Sequence, residues 1–294
     1  MHVFVTGGTG LIGSVVVAEL LGAGHTVLAL ARSVDSAAVA AQAGARPLRG
    51  ALGDLKVLRA GAEASDGAIH LAFANDFSSQ EAVGRSIAEE TAAITTIGET
   101  FVDSGRPFAV VSGTPWIPGR TSTEEDPLPT DGVVGGRGRT VTATLALSER
   151  GVRTSAIRLP RTVHKDGAGG FAGLLTQVAR SAGVSGYPGD GAQRWPAVHA
   201  LDAAVLFRLA LEGAPAGSSW HAVADEGDAV RDIAAVIGRK LGLPSQQVPE
   251  VAFGPLGAIF ATDQPASSAR TRAELGWEPT QLSLLADLEQ NLTA

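Results

Sequence analysis

The chain has 294 residues, 45% of them hydrophobic and 18% charged, with a formal net charge of −7. That balance describes a globular protein long enough for one large core or two lobes around a cleft, and it argues against a nucleic-acid partner, because no basic run offers phosphate contacts. Cysteine is absent, which excludes disulfides, thiol catalysis and thiolate metal sites.

Residues 2–5 form a short β-branched and aromatic run, as expected of a buried parallel strand. Gly7, Gly10 and Gly13 then follow Thr6 in the spacing T-G-x-x-G-x-x-G, with Thr9, Leu11 and Ile12 among them. The next apolar stretch, 11–21, has helical spacing and stops at Gly22 and Gly24. A strand, a glycine turn and a helix N-terminus form a pyrophosphate site: free N–H groups and the helix dipole attract the anion, and missing Cβ atoms let it approach. Thr6, Gly7, Thr9, Gly10, Leu11, Ile12 and Gly13 are therefore expected at a dinucleotide; a tight turn without ligand is the alternative.

Thr26–Ala31 is expected as the second strand, with Arg32 and Ser33 directly after it. A carboxylate there would hold the ribose 2′-OH of NAD; a guanidinium and a hydroxyl suit the 2′-phosphate of NADP, unless Arg32 is only a solvated surface residue. Arg46–Arg49 is a short third strand, followed by Gly53, Asp54 and Leu55. Asp54 either accepts the adenine amino group or caps a helix. The fourth strand, 67–72, ends in His70, Leu71, Ala72 and Phe73, where a small residue lets the backbone pass the cofactor ribose. A long helix is expected at about 79–104, with Val83, Ile87, Ile94 and Ile97 on one face and Thr91 interrupting the stripe. The fifth strand, 107–112, ends at Ser112, whose hydroxyl would hold a substrate carbonyl oxygen with Thr114 assisting, unless it is satisfied in its own turn. Another helix ends near Arg150, the sixth strand covers 154–159, and Pro160 at its end is placed against the cofactor. This alternation predicts an α/β protein with a Rossmann-type doubly wound parallel sheet, ligands lying at the strands' carboxyl ends.

Beyond Pro160 the pattern changes. Residues 165–170 and 186–194 are turn-rich, Arg194–His199 reads as extended, and Asp202 is expected to cap a helix to about Leu211. A strand at 220–224, a helix at Val230–Leu241 and a final helix after Leu275-Gly276-Trp277-Glu278-Pro279 follow; 249–268 is too rich in Gly, Pro and Ala to assign. The expected organisation is a cofactor-binding core over 1–160 and a smaller substrate-side lobe over 161–294, with segments returning to the core. No apolar run reaches membrane-spanning length, the N-terminus lacks a signal-peptide pattern, and a cysteine-free chain suits a cytoplasmic location. Six scattered histidines have no ligand-like spacing, so no metal is expected.

The motifs TGGTGLIG (6–13), LARS (30–33), GDL (53–55), HLAF (70–73), VSGT (111–114), EDPLP (125–129), RLPRTVH (158–164), WPAVHALDAA (195–204) and LGWEP (275–279) together resemble the short-chain dehydrogenase/reductase superfamily, in its extended and atypical epimerase/dehydratase-like branches. The resemblance spans essentially the whole chain and implies a Rossmann core, an NAD(P) cofactor and often a homodimer built on paired helices. One departure matters. The superfamily's proton donor is a Tyr four residues before a Lys on the helix after VSGT, and here that stretch reads GVVGGRGRTVTATLAL, with Arg139 taken as the nearest cation. The single tyrosine, Tyr187, has no Lys at that spacing. Without the pair no phenolate of lowered pKa serves hydride chemistry. Three residues offer substitutes: His164 just after the sixth strand, Tyr187 in a glycine-rich loop that would close over the cleft, and His199, which reads better as structural. The expected function is NADP-dependent reduction of a ketone or related C=X group in a small-molecule carbonyl substrate, NAD being the weaker alternative. A non-catalytic redox sensor that reads NADP is the second reading, and a nucleotide-sugar epimerase, which needs the absent tyrosine, the third. Specificity is expected in loops near 74–78, 115–138 and 165–195.

Overall fold

Strands and helices alternate along the computed structural model, which describes residues 1–74, 76, 78–132 and 135–293. In chain order β1 (His2–Thr6) leads through α1 (Leu11–Gly22) to β2 (Thr26–Ala31), and α2 (Val34–Gln42) to β3 (Arg46–Arg49). Next come α3 (Leu55–Glu63), β4 (Gly67–His70), α4 (Gln80–Thr100), β5 (Pro107–Gly113), α5 (Gly135–Ala146) with a 3-10 turn at Leu147–Arg150, and β6 (Arg153–Leu159). The remainder contains β7 (Thr162–His164), α6 (Gly170–Ala182), β8 (Ser185–Tyr187), β9 (Arg194–His199), α7 (Ala200–Gly213), β10 (Ser218–His221) and β11 (Asp225–Ala229). It closes with α8 (Val230–Leu241), β12 (Ser245–Gln247), a 3-10 segment at Glu250–Leu256, α9 (Gly257–Phe260), α10 (Ala269–Leu275) and α11 (Leu284–Asn291).

Seven parallel strands form the central sheet in the order β10-β6-β5-β4-β1-β2-β3. This is the Rossmann-type doubly wound sheet that the alternation predicts. Winding reverses between β1 and β4, so a crevice opens at their carboxyl ends. The central strands β1, β4 and β5 are buried on both faces, as a doubly covered sheet requires, whereas the edge strand β3 ends in exposed arginines. Val3, Val5, Ala109 and Ile157 pack with α1 and α7, while Phe4, Phe108, Val110 and Ala156 pack with α3, α4 and α5.

The second half of the chain is split between two bodies. α7 packs along α1 and β10 joins the sheet edge beside β6, while β11-β9-β7 and β12-β8 build the smaller lobe. That lobe has its own core around Trp195, Ile233, Ile237, Phe253 and Phe260. Its three-residue strands β7, β8 and β12 are too short to carry a periodic signal, which is why the sequence does not announce them. α4 is shorter than expected: Ser79 caps it by accepting from the Ala82 N–H, and it ends at Thr100.

Asp202 is not the helix cap that the sequence predicts. His199 holds that position, its Nδ1 accepting from the Leu201 N–H at 3.3 Å. Asp202, in the first turn, accepts instead from the N–H groups of Thr280 and Gln281 at 3.0 and 3.1 Å, while Trp277 Nε1 donates to its carbonyl at 2.9 Å. The segments WPAVHALDAA and LGWEP thus clasp each other, closing the C-terminal segment onto the core. Among the described residues no helix is long and apolar enough to cross a membrane.

Candidate active site

Each glycine of the first loop answers a different steric demand. Gly7 has φ +73°, and a Cβ there would press on the backbone of Leu71 and Ala72 at 2.8–3.0 Å. A Cβ on Gly13 would overlap the Gly7 carbonyl. These two let β1, β4 and α1 close on one another. Gly10 differs: φ −79°, ψ 176° is open to any residue, and a Cβ would meet only the Gly7 oxygen, at 3.5 Å. Gly10 is also the N-cap of α1 and supplies no side-chain cap. Ser14 is the first residue to donate back, to the Gly10 carbonyl, leaving the N–H groups of Leu11, Ile12 and Gly13 without an acceptor among the described residues. The cradle fits an anion: free donors, a positive helix end and empty space where Gly10 lacks a side chain. It opens into a cleft of about 330 Å³ whose lining includes Gly10, Leu71, Val111, Pro160, Arg161 and Val163. A second cavity, between α1 and α7, is edged by Glu19, Asp202 and Glu278, and this acidic rim does not suit a phosphate.

Thr9 and Leu11 are exposed at the loop, Ile12 is half-buried, and Leu71 and Pro160 form cleft wall. Thr6 is not at the cleft. It is fully buried, its hydroxyl hydrogen-bonded to His70 Nδ1 at 2.9 Å and accepting from the Ala72 N–H at 3.4 Å, so it ties β1 to β4. His70 stays neutral, its pKa pushed down to about 3 by burial and then by the nearby Arg137 charge. Ala72 and Phe73 are half-buried at the end of β4.

At the far edge, Arg32 is exposed and forms no ion pair among the described residues. Ser33 caps α2 in a reciprocal box with Ser36. Arg49, which the sequence reading passed over, is the register partner of Ala31 and is likewise exposed and free of an ion pair among the described residues. Two guanidinium groups therefore flank the end of β2. Asp54 resolves toward the cap: its carboxylate accepts from the Val57 N–H at 3.4 Å, with Leu55 opening α3 and exposed.

At the reacting end the two hydroxyls separate. Val111 lines the cleft, so Ser112, next along β5, lies on the opposite face of the sheet with Arg158 as its register partner. Ser112 Oγ makes one long contact, 3.5 Å to the Gly113 carbonyl. Thr114 sits just past the strand. Its N–H donates to the cleft residue Leu159 at 2.9 Å, and its carbonyl accepts from Gln264 Nε2 at 2.8 Å. Its hydroxyl is buried and unpartnered among the described residues, the one polar atom of Thr114 left to spend.

An uncharacterized protein of Saccharomyces cerevisiae, YLL056C, is 41% identical over 99% of both chains. A second uncharacterized protein, from Schizosaccharomyces pombe, is 42% identical over 98% of both. The model of the NAD dependent epimerase/dehydratase family matches residues 3–131, from β1 through the glycine cradle to the segment after β5. The chain belongs to that family. UDP-glucose 4-epimerase of Thermotoga maritima, solved with UDP-glucose, superposes with a TM-score of 0.78 at 19% identity over 99% of this chain and 97% of that one. The dTDP-glucose 4,6-dehydratase of Streptomyces venezuelae, solved with NAD, gives 0.78 at 21% identity over 99% and 95%. At these identities the likeness is one of fold.

The structure also shows what replaces the expected Tyr and Lys of this epimerase/dehydratase-type oxidoreductase chain. Val133 and Val134, like Asn75 and Phe77 in the expected specificity loops, lie outside the described residues; none of the four can act as an acid. α5 opens on glycines because a Cβ on Gly135 or Gly138 would overlap the backbone of Thr130 or Pro129. Arg139 is exposed and turns back to the Thr130 carbonyl. Arg137, rather than Arg139, is the cation near the strand ends. Its guanidinium lies 4.4 Å from the centre of the Phe73 ring and donates twice, at 2.7 Å, to Glu90. Glu90 is nearly inaccessible and burial raises its pKa, the paired Arg137 opposing that shift. No periodicity marks Arg137; only the packing of α5 on α4 brings it there.

Neither expected proton donor reaches the cleft. His164 follows cleft-facing Val163 on β7 and lies on the other side, 1% exposed, with Nδ1 2.7 Å from Asp287 and its ring edge-on to His199 at 5.3 Å. Asp287 also accepts from the Gly167 N–H, so the pair binds the 164–167 turn to α11. Tyr187 is not in a mobile lid. It ends β8, paired with β12, and packs within the lobe core against the backbone bend at Gly191.

Proposed function

We propose that this chain is an NADP-dependent oxidoreductase that reduces a ketone or related C=X group. The observation that carries the reading is the open cradle at Gly10, with three unspent N–H groups, opening into a cleft along the strand ends; behind its wall, Thr114 donates its N–H to the cleft residue Leu159 and keeps an unspent hydroxyl. The N–H groups of Leu11, Ile12 and Gly13 would hold the pyrophosphate, and Leu71, Ala72 and Pro160 would bound the cofactor's course along the strand ends. Arg32 and Arg49 would take the 2′-phosphate, at the N-terminal end of α2 where its dipole adds to theirs. The bound cofactor supplies hydride.

In this reading Thr114 polarises the substrate oxygen by donating its hydroxyl, which no described residue engages. That role goes to Thr114 rather than to Ser112. Phe73, braced by Arg137 and Glu90, keeps the end of β4 in place. With His164 and Tyr187 both turned into structural contacts, solvent water protonates the product oxygen. The decisive assay is NADPH oxidation across a panel of ketones and aldehydes, paired with NADPH and NADH titrations. Because neither His164 nor Tyr187 lines the cleft, a cofactor-reading protein without turnover is the competing reading: tight NADPH binding with no oxidation by any panel member would select it.

A further inference from the structure

Arg161 is a cation built into the cleft wall without a counterion among the described residues. It stands two residues past the end of β6 and lines the same cleft as the glycine cradle. Its Nε donates to Gln264 Oε1 at 2.9 Å and its Nη1 to the Ile259 carbonyl at 2.9 Å. The guanidinium lies over the Phe171 ring, 5.1 Å from its centre, and 5.9 Å from that of Trp195. A guanidinium has five N–H groups; two are spent, and no ion pair forms within 4.0 Å among the described residues. The acid whose charge reaches it is Asp263, but both oxygens of Asp263 are engaged by Arg194, at 3.1 and 2.9 Å. Burial presses the Arg161 pKa down to about 10, as expected of a cation short of compensating charge.

The same Gln264 amide that accepts from Arg161 donates to the Thr114 carbonyl at 2.8 Å. Arg161 and Thr114 are therefore held at the two ends of one amide, and the fork is fixed relative to the hydroxyl assigned to the reacting oxygen. A planar, immobilised fork with free donors matches a carboxylate or phosphate bidentately. The cofactor's pyrophosphate has its own donors on α1, leaving this fork for another anion. We propose that Arg161 anchors an anionic group of the substrate, a carboxylate or a phosphate, so that the substrate class is a carbonyl compound carrying that anion close to its C=O. This assignment rests on the reductase reading for the role of Thr114, but the anchor is testable without turnover.

The experiment measures binding to the NADP⁺ complex by calorimetry, with 2-oxobutyrate, its neutral methyl ester and inorganic phosphate as probes. Wild-type protein should bind 2-oxobutyrate or phosphate roughly tenfold to a hundredfold more tightly than the ester. Arg161→Gln should abolish that preference while leaving NADPH affinity within about twofold, and Arg161→Lys should restore part of it, keeping the charge but not the fork. Whichever anion is preferred names the substrate's charged group. Equal affinity for acid, phosphate and ester in the wild type overturns the proposal, as does an Arg161→Gln variant that loses NADPH instead. Anion preference without NADPH oxidation would retain the anchor and sink the reductase reading; oxidation by neutral ketones with no anion preference would do the reverse.

Discussion

Gly10→Val separates the cofactor site from the fold. Gly10 already has an extended backbone that valine adopts, and its Cβ would meet nothing nearer than the Gly7 oxygen at 3.5 Å. The cost to folding is that of exchanging one uncapped N-cap for another, at most about 1 kcal/mol. The branched side chain instead fills the space before the N–H groups of Leu11, Ile12 and Gly13. A charge-assisted hydrogen bond contributes about 1.5–3 kcal/mol. Displacing a pyrophosphate from two of the three donors therefore removes about 3–6 kcal/mol, a hundredfold or more in Kd. Gly13→Ala is the contrasting variant: its methyl would overlap the Gly7 carbonyl, so it should fail in folding. The assay is NADPH titration by fluorescence or calorimetry beside thermal unfolding. Gly10→Val should melt within a few degrees of wild type and bind NADPH at least a hundredfold more weakly. A folded Gly10→Val protein with wild-type NADPH affinity would refute the assigned cradle.

Arg32→Ala and Arg49→Ala should each weaken NADPH by roughly tenfold or more and NADH little, since each removes a cation available only to the 2′-phosphate; equal wild-type affinity for the two cofactors would contradict this. Thr114→Val should lower turnover by about 10²–10³-fold at intact NADPH affinity, whereas Ser112→Ala should be nearly silent, the reverse ranking marking the wrong hydroxyl. Asp228 gives a pH signature. Burial, and then the charges of Asp225 and Asp232, raise its pKa from 3.8 to about 6, and Oδ2 is buried without a partner among the described residues. The folded state thus favours the proton: this stabilisation is fully present below pH about 4 and is lost as pH rises through about 6. Asp228→Asn should melt higher than wild type at pH 7 and lose that pH dependence, as followed by thermal unfolding between pH 4 and 8.

The sequence by itself determined the doubly wound core, because that information is local. A β-branched run, glycines three residues apart and a helical stretch lie within 21 residues, and what each demands of its backbone is set by neighbours a few positions away. The helix Val230–Leu241 was legible for the same reason, with Gly242 in the left-handed conformation ending it. The lobe and the reacting end of the cleft were not. Which face His164 takes depends on β7, a three-residue strand with no period to read, and on Asp287, 123 residues away. Ser112 and Thr114 look equivalent in V-V-S-G-T, yet β5 ends at Gly113, and only the folded chain shows the Thr114 hydroxyl buried while Ser112 stays half-buried. Asp202 reads as a cap until Thr280 and Gln281 are brought to it. Arg161 is one arginine among many in the sequence. It becomes a cation without a counterion only when Arg194 takes Asp263 and the strand ends enclose it, because charge compensation and burial are properties of residues distant in the chain and adjacent in space.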